Sequence, residues 1–353
     1  MPANRPRDSD ENCMAYCLPL STQQEQYLFR ISGLSEGIVS IVFKKIFKKK
    51  KRKIIDRVYD FRFGRFEHQT KAKLLSCLQV NSIMSRAILS QKPFFVTRMG
   101  ATECRICWNF ARASFFNNIH SAKLLFEAQN NSGISSRGDP YLNRFASVYI
   151  GALPHADLIG LWDVPGMSPI IEKFGSDDLD YTPLIGLEPW SAILEGQLPW
   201  TNALSGKSVL VIHPFAKSIQ KQYENRTTIT TIRALLPEFE LDTLVPPITF
   251  AGESNENTWV DNLQALMQAT AARDFEVALI GCGAYGLPLG AFIKQLGRKA
   301  IHLGGVTQLL FGIKGNRWEK RWPYESLMDD TWVRPSREEK PSEANRVEDA
   351  CYW

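Results

Sequence analysis

From about residue 208 onward, short apolar runs alternate with longer amphipathic stretches. Runs of four to seven residues are too short for helices, and they predict strands at 208–213, 239–245, 277–280 and 299–303. The stretches between them predict helices over 223–236, 259–272 and 287–296, with another helix starting near 308. This alternation is typical of a parallel sheet covered on both faces. The predicted fold class is therefore α/β, Rossmann-like, with a mostly parallel sheet and helices on both faces.

The pattern between about residue 71 and residue 206 is globular but less regular. It predicts a helix over 72–89, a strand over 94–97, helical sequence over 104–130, and a strand within 148–162 that ends near Asp163. Residues 164–206 are rich in proline and glycine, which predicts loops and short helices. We therefore expect one α/β domain over 71–335, preceded by a distinct segment at 1–70 and followed by a charged C-terminal tail at 336–353.

The first 70 residues have a different composition. Residues 1–20 are polar with early prolines, which predicts disorder. Residues 38–47 are apolar apart from two lysines, and they run into a basic series at 48–53. Such a segment favours an anionic membrane surface, while a solvated basic face and a nucleic-acid contact are the alternatives. Since no stacking aromatic residues interleave with the basic series, we expect no nucleic-acid partner.

Charge and cysteine usage narrow the protein class. The net charge is +5, and the seven cysteines are odd in number and scattered, which predicts a reduced, cytoplasmic protein. No apolar run approaches the roughly 20 residues that cross a bilayer. Cys104 and Cys107 form one isolated pair at helical spacing, so we expect them to pack in a helix. The expected location is cytoplasmic, with peripheral attachment at the inner face of the membrane as a further expectation.

The stretch 277–305 contains the most informative motif of the chain. A short apolar strand ends in Gly281-x-Gly283-x-x-Gly286, a helix follows, and a second strand ends before Gly304 and Gly305. A glycine turn between a strand and a helix favours a phosphorylated ligand. Two other interpretations remain open, namely a turn needed only for packing and a dinucleotide site. For a dinucleotide site, the sequence lacks the acidic residue that is expected about 20 positions after the glycine motif.

A second candidate segment, residues 98–103, follows the strand at 94–97 directly. Arg98 and Glu103 at a strand end are well placed for a diphosphate and for its metal, since Mg²⁺ and Mn²⁺ prefer carboxylate and phosphate oxygens. The alternative is that Glu103 complements the dipole of a helix that begins there.

Further candidates lie at other strand and helix ends. His213 at the end of a strand can act as a base or contact phosphate, and Lys217 follows it closely. Arg317 and Arg321 share one helix face with two tryptophans, an arrangement that suits phosphate binding and stacking. For each of these residues, ordinary packing is the competing interpretation.

Two blocks of the sequence resemble a known group. Arg98-Met99-Gly100-Ala101-Thr102-Glu103 resembles the Arg-aromatic-Gly-Asp-Gly-Glu segment of bacterial glycosyltransferases with the GT-D fold. The block running from 209–215 through 281–286 to 304–305 and 311–315 is similar to GT-D-like proteins associated with surface polysaccharide synthesis. The resemblance spans roughly residues 75–335.

The resemblance implies a function. A sugar would pass from a nucleotide-sugar donor to a glycan or lipid-linked acceptor in capsule or O-antigen synthesis, with Mn²⁺ or Mg²⁺ held by an Asp-x-Glu motif. Glu103 takes the Glu position of that motif, whereas Ala101 stands where its Asp would be. The alternatives are a non-catalytic nucleotide- or glycan-binding partner of polysaccharide assembly and an NAD-dependent oxidoreductase.

The residues expected to carry this function fall into two sets. Glu103 is the expected metal ligand and is counted among the catalytic residues, together with two candidates for the base, His213 and Asp163. Donor binding is expected from Arg98, Gly100, Gly281, Gly283, Tyr285, Gly286, Lys217 and Arg317.

Overall fold

The computed structural model describes residues 74–112 and 120–353, and the predictions for residues 1–70 lie outside that range. Seven strands of the described chain form a single sheet in which all neighbours are parallel. In chain order these strands are β1 (Phe94–Arg98), β2 (Leu158–Leu161), β3 (Asp180–Pro183), β4 (Ser208–Ile212), β5 (Glu240–Leu244), β6 (Val277–Ile280) and β7 (Lys299–His302). The predicted α/β class with a parallel sheet is confirmed.

Eleven α-helices connect and cover the strands within the described residues. They are α1 (Cys77–Leu89), α2 (Ala101–Arg112), α3 (Ala122–Ser132), α4 (Asn143–Gly151), α5 (Met167–Phe174), α6 (Trp190–Leu194), α7 (Ala216–Glu224), α8 (Thr230–Leu235), α9 (Trp259–Ala271), α10 (Gly286–Gln295) and α11 (Thr307–Leu310). Among them, none is both long and apolar enough to cross a membrane.

The strands lie in the order β3-β2-β1-β7-β6-β4-β5. Strands β1 and β7 are therefore neighbours near the middle of the sheet, with Val96 opposite Ile301. The same register row continues through Leu279 and Val211, and all four side chains are buried on one face. Strands buried on both faces explain the continuous apolar runs seen in the sequence.

The opposite face of the sheet carries smaller side chains at its centre. Ala278 and Ala300 are opposite each other in β6 and β7, and they leave room for α10 to approach closely. Gly290 of α10 lies so near Phe95 of β1 that a Cβ at this glycine would be 2.0 Å from the phenyl ring. Helices α2, α4, α5, α9 and α10 contribute to the core on this face, and α1, α6, α7, α8 and α11 to the core on the other.

The structure differs from the predicted elements at several places. The helix predicted over 223–236 is two helices, α7 and α8, and the segment 316–322, expected to form one helix face, is a series of turns. Strand β3 was not predicted, because its sequence Asp-Tyr-Thr-Pro is polar and only its last two residues are buried. The last residues of helix α4 occupy the start of the predicted strand region 148–162, whose strand is confined to Leu158–Leu161. The predicted helical sequence at 104–130 contains two helices, α2 and α3, separated by residues outside the description.

Residues 336–353 pack against the α/β domain. Val347, Cys351 and Trp353 are buried and belong to the core beside β4 and β7. The Trp353 ring meets the Phe215 ring edge-on, with 5.8 Å between centroids. The segment expected as a charged tail therefore carries apolar anchors, and these bring it beside the loops at the carboxyl ends of the strands.

Candidate functional site at the carboxyl edge of the sheet

Four neighbouring strands end beside one another at the carboxyl edge. Strand β1 ends at Arg98 and β7 at His302, while β6 is followed by Gly281 and β4 by His213. In open parallel sheets, ligands bind outside the carboxyl ends of the strands, at the point where the strand order reverses. The residues predicted from two distant parts of the sequence therefore meet at one place.

Arg98 is a partly buried cation at the centre of this edge. Its guanidinium lies over the Trp162 ring, 5.3 Å from the ring centroid, and makes no ion pair or hydrogen bond with any residue in 74–112 or 120–353. The Trp162 indole donates a hydrogen bond of 2.8 Å to the carbonyl of Met99, which fixes the ring. Gly304, at φ 65°, lies against the Arg98 side chain. Arg98 is thus held in place by stacking while its donors remain available.

The glycine turn after β6 combines packing with open space. A Cβ at Gly281 would lie 2.4 Å from the His213 ring, and one at Gly286 would lie 2.2 Å from the His302 ring. These two glycines are therefore required for close packing. Gly283 differs, because its φ is 57° and the nearest atom to a Cβ there, the carbonyl oxygen of Ser132, is 3.9 Å away. Its backbone is the part of the turn that a ligand can approach.

Both histidines of the edge are buried and neutral. Burial lowers the pKa of His213 to about 3 and, together with the Arg98 charge, lowers that of His302 to about 3. His213 Nδ1 accepts a hydrogen bond from the backbone N–H of Phe215, and His302 Nδ1 lies 3.1 Å from the Thr97 hydroxyl. An imidazole with so low a pKa is a weak proton acceptor near pH 7, so the geometry favours structural roles for both rings.

Tyr285, predicted as a donor contact, lies in the core below the turn. Its ring stacks on Trp259 with 5.3 Å between centroids and an interplanar angle of 4°. Its hydroxyl lies 3.1 Å from that of Thr249. With both the ring and the hydroxyl engaged and the residue buried, Tyr285 supports the turn from beneath.

Glu103 lies in the first turn of α2 and is buried. Burial raises the pKa of its carboxyl, while hydrogen bonds from its own backbone N–H and from the Ser132 hydroxyl act in the opposite direction. The carboxylate folds back over Gly100, where a Cβ would be 2.0 Å from it. This is the geometry of an acidic residue stabilising a helix N-terminus. Gly100 is needed so that the carboxylate can lie there.

The surroundings of Glu103 do not form a metal site by themselves. No group of three or more His, Cys, Asp or Glu side chains suited to a metal occurs in the described residues. Ala101 supplies no ligand, and the Glu103 carboxylate is already engaged by its own helix and by Ser132. The described residues therefore supply a single carboxylate here, which does not hold a divalent ion without further ligands.

Three further predicted residues, Asp163, Lys217 and Arg317, are either exposed or paired with other side chains. Asp163 follows Trp162 at the end of β2 and is exposed. Lys217 is also exposed, and its amine pairs with Glu338 at 2.6 Å. Arg317 pairs with Glu348 and donates a hydrogen bond of 3.1 Å to the Tyr352 hydroxyl. The partners of Lys217 and Arg317 both come from residues 336–353.

Sequence reasoning did not identify one buried carboxylate, that of Glu188. Glu188 follows β3, and Tyr324 donates its hydroxyl proton to the carboxylate oxygens, at 3.0 and 2.9 Å. The Trp190 indole donates to the same carboxylate. The charges of Arg98 and Arg321 both act on it. Its place in a proline- and glycine-rich stretch gives no periodic pattern, so the sequence carries little signal for it.

No family model and no curated protein matches the sequence. Two solved structures are similar, and both have 14% sequence identity and cover 80% of this chain and 97% of their own. One, with a TM-score of 0.43, is a selenomethionine-substituted domain of unknown function 1792. The other, with a TM-score of 0.42, is described as domain of unknown function 1792 with a distinct glycosyltransferase fold.

Proposed function

We propose that this protein binds the diphosphate of a nucleotide sugar at the carboxyl edge of its sheet and transfers the sugar to an acceptor hydroxyl. One observation carries the proposal, namely that Arg98 is a partly buried guanidinium without an ion-pair partner among the described residues. Its N–H groups have no hydrogen-bond acceptor among the described residues, and phosphate oxygens accept strong, charge-assisted hydrogen bonds from a guanidinium. The sequence resemblance to GT-D glycosyltransferases supplies the choice of a nucleotide sugar among phosphorylated ligands.

The chemistry fits the residues at the edge. In sugar transfer the bond between the anomeric carbon and the diphosphate breaks, so negative charge develops on the diphosphate oxygens. Fixed donors aimed at that charge lower the barrier most effectively. Arg98 can supply a forked pair of N–H donors, and the open backbone at Gly283 lies across the same edge. The Trp162 ring, held by Met99, keeps the guanidinium in position.

A thermal-shift panel tests this proposal directly. UDP-glucose, UDP-galactose, UDP-N-acetylglucosamine, GDP-mannose, the free nucleoside diphosphates and the free sugars would be compared, each with and without Mn²⁺. A ligand that binds the folded state raises the apparent stability, by an amount that grows with the logarithm of its concentration relative to Kd. We expect at least one nucleotide sugar and its nucleoside diphosphate to raise Tm, and the free sugars to have no effect. No shift with any diphosphate would contradict the proposal.

The acceptor and the cellular setting belong to the same proposal. A glycan or lipid-linked acceptor of bacterial surface polysaccharide synthesis would be presented at the inner face of the membrane. The basic segment at 38–53, which lies outside the described residues, would hold the protein there at about 1 kcal/mol per basic residue near an anionic surface. Sedimentation with phosphatidylserine vesicles tests this. We expect the full-length protein to bind the vesicles and to be released by high salt, and we expect a variant lacking residues 1–55 not to bind.

A non-catalytic role in nucleotide or glycan binding is the second candidate. Ala101 favours it, because the Asp of the related motif is absent and Glu103 is turned towards its own helix. Release of nucleoside diphosphate from the bound donor separates the two roles. A binding partner would show a thermal shift with the nucleotide sugar and no release of product, whereas a transferase shows both.

A further inference from the structure

Residues 336–353, called the strap below, lie across the loops that follow β4 and β7. The Tyr352 ring lies against Gly305, where a Cβ would be 2.4 Å from the ring. The preceding residue, Gly304, lies against Arg98, and a Cβ there would be 3.2 Å from the Arg98 Cδ. Through these contacts the strap reaches the loop that borders the guanidinium assigned to the diphosphate.

Two acidic residues of the strap bind the first turn of α7, the helix that follows β4. The Glu339 carboxylate accepts hydrogen bonds from the backbone N–H groups of Lys217 and Ser218, at 2.9 and 3.2 Å, and from the Ser218 hydroxyl. Glu338 pairs with the Lys217 amine at 2.6 Å. Such N–H groups bind phosphate in many α/β proteins. The strap thus satisfies, with its own anions, donors that suit a phosphate group.

A third acidic residue of the strap, Glu348, pairs with Arg317. The Arg317 guanidinium also lies over the Tyr352 ring, 4.6 Å from the centroid, and donates a hydrogen bond of 3.1 Å to the Tyr352 hydroxyl. Lys217 and Arg317 are the two cations that the sequence predicts for donor binding besides Arg98. Acidic residues of one segment therefore pair with both of them.

The turn that carries Glu348 has strained backbone. Glu348, Asp349 and Ala350 follow one another with φ of 45°, 55° and 58°, in the left-handed region that residues with a side chain rarely adopt. A run of this kind is unfavourable by itself and persists only where surrounding contacts hold it, as in switch segments. The strain therefore opposes the contact between the strap and Arg317.

The part of the strap that covers α7 is held by polar contacts. Residues 336–343, the acidic arm, contain no buried residue, whereas the buried anchors all lie within 344–353. The ion pair of Glu338 with Lys217 joins side chains that are 73% and 72% exposed, and exposed pairs contribute little to stability. The acidic arm can therefore leave α7 while the apolar anchors stay packed.

We propose that the strap is autoinhibitory, with Glu338, Glu339 and Glu348 occupying groups that a phosphorylated ligand uses once the acidic arm has moved away. This inference rests on the proposed function. Strand β4 lies three strands from β1, about 14 Å at the usual strand spacing, and an extended nucleotide sugar can span that separation. A ligand that contacts both Arg98 and the first turn of α7 displaces the acidic arm. Because only the open form binds it fully, the strap lowers the apparent affinity.

The test measures ligand affinity and movement of the acidic arm separately, with the full-length protein. Calorimetry compares wild type, Glu339→Gln and Glu343→Gln, using inorganic pyrophosphate and the nucleotide sugar that gives the largest thermal shift. Salt at about 150 mM screens the general effect of net charge. Glu343→Gln is the matched control, because it removes the same charge from the acidic arm, but Glu343 pairs with Arg346 of the strap itself, at 2.7 Å. Hydrogen–deuterium exchange of residues 336–343 in the wild type, with and without ligand, reports the movement.

We expect Glu339→Gln to bind pyrophosphate and the nucleotide sugar roughly fivefold more tightly than wild type, because the open form becomes more populated. Glu343→Gln should stay within about twofold of wild type, since its charge does not cover α7. Exchange at residues 336–343 should become faster when ligand binds. A strap with a purely structural role predicts unchanged or slower exchange, because a bound ligand stabilises the folded state.

The outcomes separate the strap from the proposed function. Equal affinities of Glu339→Gln and Glu343→Gln, or slower exchange at residues 336–343 with ligand bound, overturn the autoinhibitory role, while donor binding by the wild type leaves the proposed function standing. Binding by Glu339→Gln alone supports both. Binding by neither the wild type nor Glu339→Gln overturns both. Should Glu339→Gln fail to fold, the exchange measurement on the wild type decides.

Discussion

Arg98 and Trp162 form a stacked pair across neighbouring strands, with the guanidinium carbon 5.3 Å from the ring centroid. Cation–π stacking of this kind contributes about 0.5–2 kcal/mol and orients the planar guanidinium. The pairing of strands β1 and β2 brings the two side chains together, since Arg98 is in register with Gly160, two residues before Trp162. The pair therefore presents a rigid, forked donor at the carboxyl edge before any ligand arrives.

Replacing Arg98 with lysine should weaken nucleotide-sugar binding with little loss of stability. Lysine retains the charge but loses both the forked donors and the planar stacking, so we expect donor Kd to rise at least tenfold. Arg298→Lys is the matched control, because Arg298 also stacks on an aromatic ring, that of Phe275 at 4.3 Å, at the opposite edge of the sheet. Calorimetric titration of both variants gives the comparison, and equal affinities would remove Arg98 from the binding site.

A side chain at Gly283 should block ligand approach without unfolding the turn. Asparagine tolerates the left-handed conformation, and nothing lies within 3.9 Å of the new Cβ, so Gly283→Asn should fold. We expect it to reduce donor affinity at least tenfold by covering the open backbone. Gly297→Asn is the control, since Gly297 also has positive φ and open space but follows α10 at the far edge. If both variants bind like wild type, the turn serves packing alone.

Donor-binding measurements can distinguish two roles of the Glu103 carboxylate, metal binding and stabilisation of the helix N-terminus. Glu103→Gln keeps the shape and removes the charge, and its effect on donor affinity is measured with and without Mn²⁺. A capping role predicts the same affinity as wild type in both conditions and, from the lost charge at the helix N-terminus, a decrease of about 0.3–1 kcal/mol in stability. A metal role predicts weaker binding only with Mn²⁺, and stronger metal dependence in Ala101→Asp. The buried, engaged carboxylate leads us to expect the capping outcome.

The raised pKa of Glu188 should also make folding stability depend on pH. Because the folded-state pKa is about 7 and that of an ordinary Glu is 4.5, the folded protein binds the proton more tightly. The contribution of the Glu188 carboxyl to the free energy of unfolding is then fully present below about pH 4.5. It is lost as pH rises to about 7, by roughly 3 kcal/mol at most. Chemical denaturation at pH 5 and pH 8 should show a smaller decrease for Glu188→Gln than for wild type. Parallel decreases would mean that the carboxyl has an ordinary pKa.

The parts of the fold that could be predicted are those with a strong periodic signal. Strands β4, β6 and β7 are buried on both faces, so their apolar runs mark them clearly. Strand β3 lies at the edge of the sheet and is partly exposed, and its polar sequence gives no strand signal. The placement of Arg98 and the glycine turn at one edge also followed from the sequence, because strand ends of a parallel sheet meet there.

The rest of the candidate site depends on contacts between distant residues. Glu188 acquires its character from Tyr324, which lies 136 residues away along the chain. The sequence does not show that pairing, nor that Glu103 turns back over Gly100. Likewise, the burial of Trp353 depends on its packing against Phe215 and Phe250, which no local pattern reveals. Local composition indicates only a charged segment there.

The direct pairing of β1 with β7 has a consequence for the order of folding. The hydrogen bond between Thr97 and His302 joins residues 205 positions apart, and the strands that carry them pair in register. Contacts of such long range form slowly, because the entropy of closing the loop must be overcome before they stabilise the chain. The edge that holds Arg98 beside Gly304 is therefore assembled only when the two halves of the domain have met. Neither half on its own can present it, so ligand binding during refolding is expected to report the joining of the two halves.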